Sequence, residues 1–121
     1  KGVDPTRKSL MFQDWRMANL RCSQFEGRNL SHSNLQFCNL SEANLKNAKL
    51  QGANLNYANT TGADLSGADL RGAYLFGCSL RAAKVENAII DESTILPDDF
   101  PIQEALKRNV LLAVNSEVKA S

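Results

Sequence analysis

Residues 43–75 read ANLKNAKLQGANLNYANTTGADLSGADLRGAYL. Leucine stands at 45, 50, 55, 65, 70 and 75, and Thr60, nearly isosteric with Val, fills the one gap. Two residues before each comes a small side chain: Ala43, Ala48, Ala53, Ala58, Ala63, Ala68 and Ala73. The period is therefore five. A helix would repeat its apolar residues at spacings of three and four, and a plain strand at two, without a reset.

The same register runs outward in both directions. From Leu10 to Ile95, seventeen of the eighteen positions divisible by five are apolar, so the repeat reads as unbroken over that span. Fifteen of the eighteen positions two before them hold Ala, Ser or Cys, and the misfits Lys8, Gln13 and Arg28 all lie near the start. Asn or Asp recurs just before the large residue. Six of the seven glycines fall two after it, at 27, 52, 62, 67, 72 and 77. Residues two apart on an extended segment face one side. Gly or Asn suits a turn position of positive φ. Each pentad thus predicts one short wall and one corner.

The string ANLxxA(D/N)LxG, as in GADLSGADLRGAYL from Gly62, resembles the pentapeptide-repeat family over about residues 8 to 97. The resemblance implies an all-β solenoid, a right-handed quadrilateral β-helix with four pentads per coil. Eighteen pentads then give four and a half coils, a rod of roughly 20 Å at the usual strand spacing. Its core would hold Leu20, Leu35, Leu45, Leu55, Leu65 and Leu75 in layers with Ala43, Ala53, Ala63 and Ala73.

Positions twenty apart stack on one wall. The wall of Trp15, Leu35, Leu55, Leu75 and Ile95 carries the outward corner column Met17, Phe37, Tyr57 and Gly77, with Tyr74 and Phe76 beside it. A contiguous apolar patch marks an interface, unless terminal segments fold back over it. Met17, Phe37, Tyr57, Tyr74 and Phe76 are the candidate interaction patch. On the other walls, the stacking predicts charge pairs Glu26–Lys46, Lys49–Asp69, Asp64–Lys84 and Arg71–Asp91. Exposed pairs of this kind are worth about 0–1 kcal/mol each.

Residues 1–7 read as an N-terminal extension, 8–97 as the repeat body and 98–121 as a helix and tail. Pro97, Asp98, Asp99 and Pro101 suit a turn and helix start. Ile102, Ala105, Leu106, Val110, Ala113 and Val114 recur at helical spacing, which predicts a C-terminal capping α-helix of three to four turns. Its alternative use is dimerisation, a role the resemblance suggests. Trp15 and Phe25, with the misfits Lys8, Gln13 and Arg28, predict a distorted first coil plugged by large rings. The chain starts at Lys1 and not at Met, as expected of a mature or shortened product.

No catalytic set, cofactor motif or zinc spacing is legible. His32 stands alone at an outward corner, and carboxylates are spread over several walls. Cys38 and Cys78 replace inward Ala two coils apart, too far for a disulfide. Cys22 sits at a corner. With 14 basic and 13 acidic residues, the net charge of +1 excludes a strongly basic nucleic-acid binder. No stretch approaches the roughly 20 apolar residues of a membrane span. The expected function is a non-catalytic scaffold for a protein partner or for self-association, with no small-molecule substrate. The resemblance also offers a DNA-mimicking inhibitor of a type II topoisomerase, which the near-neutral charge disfavours. For location, it admits cytoplasm, plastid with its thylakoid lumen, or secretion.

Overall fold

The computed structural model describes residues 9–114. Isolated parallel bridges join residues twenty apart, from Asp14–Asn34 through Asn34–Asn54 to Asn54–Tyr74, and likewise on the other walls, as in Asn19–Asn39–Asn59. One coil is therefore twenty residues, or four pentads. The bonding repeats with the pentad. Leu35 N–H donates forward to Asn54 O (2.7 Å), and Asn54 N–H donates back to Ser33 O (2.9 Å). Cys38 N–H closes a turn on Leu35 O (3.2 Å). In that turn Phe37 has φ +60°. A four-residue turn with positive φ at its third residue is type II.

Inside, Leu30 to Leu80 in the large-residue column and Ala43 to Ala73 in the small-residue column are buried, together with Thr60 and Ser33. Leu20 and Trp15 are only partly covered. Stacked Leu and Ala layers bury each coil on its neighbours, which is how a solenoid gains stability. Cys38 and Cys78 are buried thiols, and all three cysteines are free. Burial raises the Cys38 pKa, and the thiol donates to Trp15 O (2.8 Å). Burial pushes Cys78 up to about 11, and its sulfur lies 3.3 Å from the Thr60 hydroxyl.

The structure corrects four expectations. The first coil is regular in backbone. Phe12, Met17 and Cys22 take the same φ, near +60°, as later corners, and Asp14, Asn19 and Gln24 bridge in register. Its irregularity is confined to side chains. Trp15 meets Phe25 edge to face at 6.1 Å, and the buried Trp15 Nε1 has no hydrogen-bond partner.

The register also breaks before Ile95. Tyr74 pairs with Ile95, twenty-one residues on, so 91–95 hold one extra residue. Ile95 faces out, 47% exposed, and Leu96 packs on the core in its place. The Asp91 carboxylate organises this loop. It accepts from Gly72 N–H (3.1 Å), Ser93 N–H (3.0 Å) and the Ser93 hydroxyl (2.8 Å). A 3₁₀ turn at Leu80–Ala82 is a second, milder departure, because bridging resumes at Lys84.

The C-terminal helix is short. After β1 (Ile89–Ile90), α1 covers only Ile102–Lys107. Asn109 then turns at φ +65°, and β2 (Leu111–Leu112) pairs parallel with β1. The open edge of the last coil supplies the partners. Leu111 N–H reaches Ala88 O (2.7 Å), and Ala113 N–H reaches Ile90 O (2.8 Å). Those bonds take the apolar run that a longer helix would have used. Phe100, Ala105 and Val110 are buried in the core cluster. The Arg108 guanidinium lies 5.6 Å from the Phe100 ring centre and donates to Ala83 O (2.8 Å).

The fourth correction concerns charge. Arg71 pairs with Asp69 of its own coil (2.7 Å) and not with Asp91, which is engaged in the loop. Glu26 accepts from Asn44 Nδ2 (3.2 Å), one bridge away from Lys46. The expected extension 1–7 and the end of the tail, 115–121, lie outside the described residues.

Candidate functional site

The corner column is built by the type II turn. A side chain at its third position stands out from the rod, so Met17, Phe37 and Tyr57 project from one edge. Phe37 is 54% exposed, Tyr57 49% and Phe76 41%. Phe37 and Tyr57 stack at 5.1 Å between centres and 11° between planes. Phe76 meets Tyr57 edge to face at 5.5 Å. A Cβ on Gly77 would fall on the Tyr57 ring, so glycine there lets the ring lie down on the next coil. The neighbouring corner repeats the device. Phe12 stacks on His32 at 5.2 Å, and His32 lies over Gly52.

Tyr74 occupies the position that Asp14, Asn34 and Asn54 hold in the earlier coils of its wall. Those side chains have a backbone task. Asn34 Oδ1 accepts from Gln36 N–H, and Asn54 Oδ1 from Asn56 N–H, both at 3.0 Å. Tyr74 cannot serve Phe76 in this way. Asn56, from the coil below, serves instead, its Oδ1 accepting from Phe76 N–H at 2.9 Å. Tyr74 is thereby free to stand exposed beside Ile95. The five patch residues thus divide into four at the corner (Met17, Phe37, Tyr57, Phe76) and one on the face, Tyr74, beside which the exposed Ile95 stands as a sixth. Ile95 escaped sequence reasoning because the extra residue was invisible there.

Charge is segregated around the rod. Residues 32–41, 52–61 and 72–80 contain no Asp, Glu, Lys or Arg. They form the two walls that meet at the aromatic corner from the second coil on, while in the first coil the same walls carry Asp14, Arg16 and Arg21. The opposite half carries Glu42, Lys46, Lys49, Asp64, Asp69, Arg71, Lys84, Glu86 and Asp91. Beyond Phe76, the uncharged half runs into a groove of about 380 Å³ bounded by Ser79, Arg81, Pro97 and Asp99. Arg81 bonds Asp99 O (3.1 Å) and pairs with Glu104 at 3.7 Å.

No chemistry gathers at this edge. Among the described residues, no group of His, Cys, Asp and Glu could hold a metal ion. Cys22 is exposed at another corner, with Arg21 Nη1 3.3 Å from its sulfur.

The family model for pentapeptide repeats matches, in eight copies, over residues 18–56, 43–81 and 54–91. The chain belongs to the pentapeptide-repeat family. As a pentapeptide-repeat protein it has the right-handed quadrilateral β-helix of its solved neighbours. It is similar to the pentapeptide repeat protein Rfr23 of the cyanobacterium Cyanothece 51142, at 36% identity and TM-score 0.67, over 69% of this chain and 56% of that one. It is similar also to a pentapeptide repeat protein of the Arabidopsis thaliana thylakoid lumen, at 36% identity and TM-score 0.62, over 64% and 53% of the two chains. The chain thus spans little more than half the length of these relatives. QnrB1, a plasmid-mediated fluoroquinolone resistance protein, shares the fold at 22% identity and TM-score 0.66, over 88% of this chain and 61% of that one. A search of curated proteins gives no match. Among the described residues, no helix is long and apolar enough to cross a membrane.

Proposed function

We propose that this pentapeptide-repeat protein is a non-catalytic scaffold that holds a protein partner against its aromatic corner. The observation that carries this reading is the ordered ladder Phe37–Tyr57–Phe76, half exposed on walls whose residues 32–41, 52–61 and 72–80 carry no charge. Aromatic side chains with few rotatable bonds lose little entropy on binding, and they dominate interface energetics. The rod supports them rigidly, since the corners at Met17, Phe37 and Tyr57 are each tied by a turn bond and by an inter-coil bond. In the same reading Phe100, α1 and β2 cap the C-terminal end, as a solenoid requires.

The test is affinity purification from the native source with the chain as bait, beside a Phe37→Ser/Tyr57→Ser variant. Loss of a partner by a variant with unchanged circular dichroism and Tm supports the aromatic corner. Full retention of the same partners sinks it. The topoisomerase-inhibitor reading draws on the fold shared with QnrB1. A DNA mimic needs an acidic face, and the net charge here is +1 with acids and bases interleaved. The expected result in a gyrase supercoiling assay is no inhibition.

A further inference from the structure

We propose that residues 91–96 form a two-register element, in which a slip of one residue exchanges Leu96 for Ile95 in the core and so remakes the face beside Tyr74. The sequence fits either register. Counted in twenties, Ser93 takes the small position and Ile95 the large one; one residue later, Thr94 and Leu96 do the same. The structure holds the later register. Ile95 N–H donates to Ala73 O (2.9 Å), Leu75 N–H donates to Ile95 O (2.8 Å), and Leu96 packs on the core. Because side chains alternate in an extended segment, a slip of one residue turns each of them over. Leucine and isoleucine are isomers, so the core keeps its volume in either state.

Side chains, and not the backbone ladder, make the choice. One coil down, Gly52 N–H donates to Arg71 O (3.0 Å) and Ala73 N–H closes its turn on Leu70 O (3.0 Å). Their counterparts Gly72 N–H and Ser93 N–H both go to Asp91 Oδ1, at 3.1 Å and 3.0 Å. The Asp91 side chain thus does the work of two main-chain carbonyls, its own and that of Ile90. Thr94 completes the loop, its hydroxyl donating to Leu70 O (2.9 Å). In the slipped register Asp91 O would serve Gly72 and Ile90 O would serve Ser93. Glu92 would take the corner, a place that Glu42 already fills at φ +61°. The spare residue would pass to the stretch before Phe100. Two packings of one sequence separated by so few bonds are the material of a switch. The faces they present differ. Ile95 now stands exposed beside Tyr74. After the slip Ile95 is inside, and Leu96 joins the column of Gln36, Asn56 and Phe76. An exposed aliphatic group moves from wall to corner. The slip needs no partner, so it goes beyond the interaction reading and stands or falls apart from it.

The test is methyl NMR on the whole chain labelled at Ile and Leu, with a soluble gadolinium chelate as the probe of exposure. In the unmodified chain the chelate is expected to broaden Ile95 and spare Leu96. Saturation transfer should find a minor state of both methyl groups, at roughly 0.1–10%. Asp91→Ala removes the acceptor that holds the loop, and the broadening should pass from Ile95 to Leu96. Thr94→Asn should act the same way, because it restores the usual Asn one before Ile95. Deleting Glu92 removes the extra residue and fixes Ile95 outward, so in that background Asp91→Ala should leave Ile95 broadened. Loss of broadening there overturns the proposal, as does an Ile95 that stays fully broadened in folded Asp91→Ala. If Asp91→Ala does not fold, the unmodified chain decides: no minor state at Ile95 or Leu96 overturns the slip.

Discussion

At the corners, side chains such as His32, Phe37, Glu42 and Tyr57 stand at φ near +60°, where non-glycine residues are uncommon. Backbone bonds on both sides hold them there. Tyr57 N–H reaches Phe76 O (2.7 Å), and Ala58 N–H closes the turn on Leu55 O (3.0 Å). Positive φ alone therefore does not explain the glycines. Gly27 and Gly77 have nearly equal φ, +70° and +71°, yet a Cβ meets open space at Gly27 and the Tyr57 ring at Gly77. Gly27→Ala and Gly77→Ala thus share the left-handed penalty, about 1–2 kcal/mol, and only Gly77→Ala displaces a ring. Urea denaturation is expected to show a larger loss for Gly77→Ala, with altered tyrosine fluorescence in the folded state. Equal losses would remove the ring contact as the cause.

Among the elements, the pentad walls were legible because each repeats one choice of residue many times. The small-residue column and the leucine column need only alternation, and both are written plainly from Ala43 to Leu75. Two features hid behind the same apolar code. Ile95 continues the leucine column by sequence, but Leu96 follows it, and the Asp91 loop decides which one turns inward. Val110 to Val114 satisfies helical spacing and strand alike. The unfilled donors and acceptors of β1 decide for the strand, and no local pattern reports them. The corner ladder could be found by counting in twenties. The lean of each ring onto glycine could not, nor could the service that Asn oxygens give to the backbone. The terminal element carries its own prediction. Phe100 is wholly buried beneath Arg108. Phe100→Ala is expected to cost about 3–5 kcal/mol. Amide exchange should rise first at Leu111 and Ala113, the residues bonded to the last coil. Protection that persists there would show that β2 holds without α1.

For the whole molecule, two carboxylates link stability to acid. For both Asp64 and Asp91, partial burial raises the pKa. It is outweighed at Asp64 by hydrogen bonds from Ser66 and by Lys46 and Lys84, and at Asp91 by bonds from Ser93, Gly72 and Thr94. Both therefore lie below the ordinary carboxylate value when folded. Their contribution is complete above the unfolded value of roughly 4 and is lost as pH falls through the lower folded values. Urea midpoints are expected to be flat at neutral pH and to fall below about pH 4. Asp91→Asn should reduce that fall. An unchanged slope in this variant would clear Asp91 of the role.

Four corner side chains lean the same way. His32 lies on Gly52, Glu42 on Gly62, Asn47 on Gly67 and Tyr57 on Gly77, each toward the following coil. The rod consequently has a grain, like overlapped roof tiles. A segment laid along the ridge meets a protruding Met17 at one end and, at the other, the Tyr57 ring laid over Gly77. A directional chain would fit that slope one way round, so the edge would read not only what lies on it but which end comes first.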